Sequence, residues 1–123
     1  MKNPKIIVLE DDEDRAKIFT AAYPDCFISG GVDEFVARAK EGFDYAFMDR
    51  DLGTAKTGDD AVRGMEGCSF RNARIIIHSM NIPAAESMEN DLVRQGWQIV
   101  QRKPYIGLIG YLIAAKNFRD KTK

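Results

Sequence analysis

Four short apolar runs punctuate the chain: Lys5 to Leu9 (KIIVL), Asp44 to Met48 (DYAFM), Arg74 to Ile77 (RIII) and Trp97 to Val100 (WQIV). A weaker one spans Cys26 to Ile28. They are continuous rather than alternating and rich in Ile and Val, the pattern of strands covered on both faces. Helical spacing fills the intervals. Val32, Phe35, Val36 and Ala39 fall at i, i+3, i+4 and i+7, with Asp33 near the start and Gly42 at the end. Ile18, Phe19 and Ala22 form a stripe that Pro24 cuts off. Pro83 opens and Gly96 closes a segment carrying Ala85, Met88 and Leu92. A last helix is predicted over Ile106 to Phe118, with Leu108, Ile109, Leu112 and Ile113 on its apolar side. Between Thr57 and Gly67 the pattern predicts a short helix, weakened by Gly64 and Gly67.

Strand and helix thus alternate along the whole chain. That predicts an α/β fold: a doubly wound, five-stranded parallel sheet with helices on both faces, flavodoxin-like, in the order 2-1-3-4-5. In such a sheet the site lies beyond the carboxyl ends of the strands, where the chain reverses direction.

Length and composition narrow the picture. A chain of 123 residues is read as one domain over 1–123. With 45% hydrophobic and 30% charged residues it has the balance of a globular protein. Eighteen bases against 19 acids leave a net charge of −1, so no direct nucleic-acid binding is expected. No apolar run approaches the ~20 residues that span a bilayer, and the N-terminus turns charged at once. A cytoplasmic location and no membrane association are the expectations. Cys26 and Cys68 lack metal-type spacing and are read as reduced, partly buried residues.

The predicted strands end on chemistry. The first ends in Glu10, Asp11 and Asp12, followed by Glu13 and Asp14. The third ends in Asp49, with Asp51 two residues on. The fourth ends in His78, Ser79, Met80 and Asn81, and the fifth is followed by Arg102, Lys103 and Pro104. Carboxylates from neighbouring strands raise each other's pKa unless a positive group intervenes. A hard divalent cation such as Mg²⁺ meets that need, taking one or two carboxylates and a phosphate. The Ser79 hydroxyl and Lys103 ammonium suit phosphoryl oxygens. The set reads as metal-assisted phosphoryl chemistry. Glu13 and Asp14 read instead as acids favouring a helix N-terminus. His78, the only histidine, is either an acid–base group or a hydrogen-bonded core residue. In a regular strand His78 and Ser79 face opposite ways, so both reach one site only if the strand ends at or before His78.

With these residues in place, the chain resembles the receiver domain of two-component response regulators over essentially its whole length. The matching pieces are IIVLEDDED, AFMDRDLG, the Gly58 loop, RIIIHS and RKP. The resemblance implies that Asp49 accepts a phosphoryl group. It implies that Asp11 binds Mg²⁺ directly and Glu10 through water, with the Asp51 carbonyl as a further ligand. Ser79 and Lys103 would then hold the phosphoryl oxygens. Two departures stand out. Leu52 leads into GTAKTG where receivers usually carry a proline, and Val100 occupies the aromatic switch position. A closer similarity is to a receiver-like group predicted to process cyclic phosphates, through Asp49-Arg50-Asp51-Leu52-Gly53, Thr57-Gly58, His78-Ser79-Met80-Asn81 and Met88.

Three functions follow as expectations. The first is a stand-alone phosphorelay receiver, phosphorylated at Asp49 by a histidine kinase or a small phosphodonor. The second is a metal-dependent phosphoesterase acting on a cyclic-phosphate substrate, with His78 as acid or base and Asn81 or Arg50 orienting the substrate. The third is an interaction module that is never phosphorylated. The last helix, with Tyr111, Ala114 and Ala115 beside its core stripe, is a candidate homodimer face.

Overall fold

A computed structural model describes residues 4–104, 108–110, 112–114, 116 and 117. Its elements run β1 (Ile6–Leu9), α1 (Glu13–Ala22), β2 (Phe27–Ser29), α2 (Val32–Lys40), β3 (Tyr45–Met48), α3 (Gly58–Gly64), a 3-10 turn (Met65–Gly67), β4 (Arg74–Ile77), α4 (Ile82–Arg94) and β5 (Ile99–Arg102). The sheet order is β2-β1-β3-β4-β5 and every pairing is parallel, as the alternation predicts. Residues 108–110 and 112–114 are helical. The ends of the predicted last helix, with Tyr111 and Ala115, lie outside the described residues.

The continuous apolar runs fill two cores. Ile7, Leu9, Ala46, Met48, Ile75 and Ile77 point to one face, against Phe35, Val62, Met88 and Leu92 of α2, α3 and α4. Ile6, Val8, Phe47 and Ile76 point to the other, against Phe19 and Ala22 of α1 and against Leu108 and Leu112. Each fully buried aliphatic side chain contributes roughly 1.5–3 kcal/mol, so register is strongly held: a one-residue slip would exchange the two faces. Cross-strand partners at the carboxyl ends are Leu9, Met48 and Ile77, level with one another across β1, β3 and β4.

Local signals set the helix ends. Asp12 caps α1, its side chain accepting from the Arg15 N–H at 3.0 Å. Asn81 caps α4 through Ala84 N–H at 3.2 Å, with a proline in the first turn. α3, the short helix that Gly64 and Gly67 weaken, is opened by a capping box in which Asp60 accepts from Thr57 N–H at 2.8 Å.

The fifth strand departs from its reading, Ile99–Arg102 rather than Trp97 to Val100. Gly96 adopts φ 98° to close α4, and Trp97 N–H then donates to Leu92 O at 3.1 Å. This places the indole in the core, stacked on Phe43 at 5.6 Å and edge-on to Phe70 at 5.7 Å. Trp97 is a helix-terminating anchor, and the strand starts two residues later.

Candidate functional site

The ladder hydrogen bonds continue one residue past each strand. Glu10 N–H donates to Ser29 O, Asp49 N–H to Leu9 O, His78 N–H to Met48 O and Lys103 N–H to Ile77 O, at 2.8–3.1 Å. Because Leu9, Met48 and Ile77 are level, Glu10, Asp49 and His78 are level too. They continue the face that carries Val8, Phe47 and Ile76. Strand alternation therefore brings His78 to Asp49. The Phe19 ring lies 5.3 Å from the imidazole.

All three residues are buried, Glu10 at 2%, Asp49 at 4% and His78 at 0% exposure overall. One ligand atom from each lies within 4.8 Å of the others. His78 Nε2 is 3.0 Å from Glu10 Oε1, while Glu10 Oε2 accepts from Asp12 N–H at 3.0 Å. Asp49 Oδ1 accepts from Arg50 N–H at 2.8 Å. Its Oδ2 is 3.8 Å from Arg15 Nη1. Two carboxylates and an imidazole are thus packed into the sheet end, with a guanidinium at the mouth.

The sequence pattern of the cyclic-phosphate processing receiver domain matches residues 6–94. The chain belongs to this family. Similar solved structures, all at low identity, include named receiver domains. The N-terminal domain of an uncharacterized protein from Wolinella succinogenes superposes with a TM-score of 0.66 at 16% identity, covering 98% of this chain and 97% of that one. A CheY-like response regulator receiver domain from Methylobacillus flagellatus gives 0.60 at 14%, covering 93% and 99%. The BeF3-activated receiver domain of Nitrogen Regulatory Protein C gives 0.61 at 16%, covering 93% and 97%. No curated protein matches the chain in sequence.

In this receiver domain burial pushes the Asp49 carboxyl above the usual carboxylate range. His78 opposes the rise, Glu10 adds to it, and the Arg50 N–H and Arg15 oppose it. A divalent cation would relieve the same crowding, and the donor set fits one. The oxygens of Glu10 and Asp49 suit Mg²⁺, while the imidazole of His78 extends the choice to Mn²⁺ and other borderline ions.

The other expected site residues follow β1, β3, β4 and β5 in the chain, at the same end of the sheet. Asp11 is exposed, and its Oδ2 accepts from Gly53 N–H at 2.5 Å, tying β1 to the loop after β3. The exposed Asp51 carboxylate pairs with Arg50 Nη1 at 2.9 Å. Arg50 Nε reaches Asp59 at 3.1 Å, so its guanidinium braces the loop against α3. Ser79 is buried, and its Oγ accepts from Asn81 N–H at 3.1 Å. Lys103 is half-buried. The expectation that Asn81 or Arg50 orients substrate meets side chains already engaged, in the α4 cap and in the Asp51–Asp59 brace.

Gly58 is the hidden structural requirement of the site. Its N–H donates to Arg50 O at 2.9 Å, closing the loop. A Cβ there would come within 2.4 Å of Asp49 O and 2.8 Å of Arg50 Cα. Sequence reading found Gly58 but missed Arg15, since a base in a helix looks like solvated surface. The available signal was its place three residues after the Asp12 cap, on the turn that opens over the site.

Proposed function

We propose that this domain carries out divalent-cation-dependent phosphoryl chemistry at Asp49, and that its substrate is a cyclic phosphate. The observation that carries the reading is the imidazole of His78 set against Glu10 at 3.0 Å, in one cluster with Asp49. The family pattern that fits the chain is the cyclic-phosphate processing one.

Glu10 and Asp49 would hold the cation, with Asp11 and His78 adjoining, and the cation would supply charge neutralisation for the phosphoryl oxygens. Asp49 is the nucleophile. Its carboxylate oxygen forms a bond to phosphorus as one ring P–O bond breaks. The electron pair leaves on the alkoxide oxygen, which takes a proton from solvent water. Water then cleaves the acyl phosphate, restoring Asp49 and releasing a phosphomonoester. His78 is fully buried and bonded to Glu10. It acts as a positioning residue, holding one Glu10 oxygen while Asp12 N–H holds the other. Ser79 and Lys103 face the phosphoryl oxygens in this scheme.

Phosphorus NMR of a 2′,3′-cyclic nucleotide incubated with protein and Mg²⁺ or Mn²⁺ is expected to show monoester formation, lost in Asp49→Asn. If the cyclic signal persists while acetyl phosphate still gives a covalent adduct on Asp49, the second reading takes over. In that reading the domain is a phosphorelay receiver in the cytoplasm, served by a histidine kinase or a small phosphodonor. It is favoured by the receiver fold itself and by the buried Ser79 hydroxyl.

A further inference from the structure

Arg15 occupies the third position of α1, after the Asp12 cap. The positive end of a helix disfavours a cation, and the rest of the first turn obeys that rule with Glu13 and Asp14. A local rule broken beside a buried carboxylate points to a functional cause. The guanidinium sits at the mouth of the cluster, Nη1 3.8 Å from Asp49 Oδ2. At that distance it is a counter-charge rather than a short hydrogen-bonded lock. The side chain is 34% exposed against 6% for Asp49, so the guanidinium lies between solvent and the buried carboxylate.

Any phosphoryl group attached to Asp49 would bring its oxygens to the place this guanidinium already covers. The planar fork of arginine matches phosphoryl oxygens in a way that a lysine does not. We propose that Arg15 has two alternating partners. It neutralises the bare Asp49 carboxylate, competing there with the divalent cation, and it clamps the phosphoryl oxygens once the group is on Asp49. This rests on the phosphoryl-transfer reading above, in the part common to both of its versions.

Loss of the Arg15 side chain has two opposite effects. Removing the guanidinium frees the carboxylate for the cation, so cation affinity rises. It also removes a donor from the transferring group, so phosphoryl transfer slows. A merely structural arginine would lower both.

The test compares the wild type, Arg15→Met, which keeps the aliphatic stem, and Arg15→Lys, which keeps the charge without the fork. Free Mn²⁺ is followed by electron paramagnetic resonance during titration. Adduct formation from acetyl phosphate is followed by intact mass at saturating Mn²⁺, with Asp49→Asn as the blank. In that reaction an Asp49 oxygen bonds to phosphorus while the P–O bond to acetate breaks, and acetate leaves as its anion. Arg15→Met is expected to bind Mn²⁺ about 3–10-fold more tightly and to form the adduct ~10–100-fold more slowly. Arg15→Lys is expected to keep wild-type Mn²⁺ affinity and still lose most of the rate. An Arg15→Met adduct rate within about twofold of wild type, or a weaker Mn²⁺ affinity, overturns the proposal. If Arg15→Met fails to fold, an undiminished rate in Arg15→Lys overturns it alone. If the wild type neither binds Mn²⁺ nor forms an adduct, the phosphoryl reading itself falls, a result distinct from an unresponsive Arg15.

Discussion

Asp49 carries a cost that the metal-free protein must bear. Its carboxylate is buried, beside a second buried carboxylate, and burial already drives its proton affinity upward. Asp49→Asn keeps the shape and an oxygen for the Arg50 N–H while removing the charge. At pH 7 in EDTA, calorimetry is expected to show the variant more stable by about 1–2 kcal/mol, roughly 3–6 °C. An unchanged or lower midpoint would mean that His78 and Arg15 already balance the pair. Cys26 gives a second residue-level prediction. Burial pushes its thiol up to about 11, so alkylation at pH 8 is expected to run far below the rate of an unfolded thiol. The unfolded chain ionises near 9.0. Between that pH and about 11 only the unfolded state gives up the proton, so this residue makes stability fall as pH climbs through the interval. A urea midpoint that holds steady in wild type as in Cys26→Ala over that range counts against the shift. Asp49 and Glu10 were legible in the sequence because a buried apolar run that stops on an acid is unusual. His78 was ambiguous, since only register tells which face a strand-end residue continues. Arg15 was silent, because its meaning lies in what α1 overhangs.

Elements transmit these requirements through close packing. α3 starts where its first residue presses on the backbone that carries Asp49, with a Cβ at Gly58 falling 2.4 Å from Asp49 O and 2.9 Å from Met88 Cε. Backbone cannot yield as a side-chain tip does. Gly58→Ala is therefore expected to cost about 1–3 kcal/mol in urea unfolding and to weaken cation binding by shifting Asp49. Gly110 is the control, helical with nothing within 4 Å of its added Cβ. Gly110→Ala is expected to be neutral or to stabilise by roughly 0.5–1 kcal/mol. Equal losses at the two positions would show that close approach is not the reason for Gly58. The spacing signals that place elements were mostly present in the chain. β4 begins and ends where the apolar run does, and β1 and β3 start one residue inside theirs. β5 was misplaced because an apolar Trp97 reads as strand, whereas its burial comes from ending α4 on Gly96. α3 looked weak because two glycines lower helix propensity, but the capping box and the contact with Asp49 outweigh them.

At the scale of the molecule, the site ties together the three central strands, β1, β3 and β4. The alternation of strands and helices made this convergence readable in advance, because right-handed crossovers leave few other orders. Central strands open only on global unfolding. A ligand held between their ends therefore stabilises the whole domain by RT ln(1 + [L]/Kd), about 2.7 kcal/mol at a hundredfold excess over Kd. For a chain of this length that is on the order of 10 °C in the unfolding midpoint. Thermal melts of the wild type are expected to rise by that order with saturating Mg²⁺ and to return on adding EDTA. The rise should vanish when Glu10→Gln and Asp49→Asn are combined, since both buried carboxylates are then neutral. The choice of ion tests the geometry further. If the imidazole beside Glu10 joins the donor set, Mn²⁺ at equal concentration gives the larger shift, and His78→Gln brings the two ions level. If Mg²⁺ and Mn²⁺ shift the wild type equally, His78 serves only to hold Glu10, and oxygen donors alone define the centre. A shift that survives in the double carboxylate variant would locate the cation elsewhere on the domain.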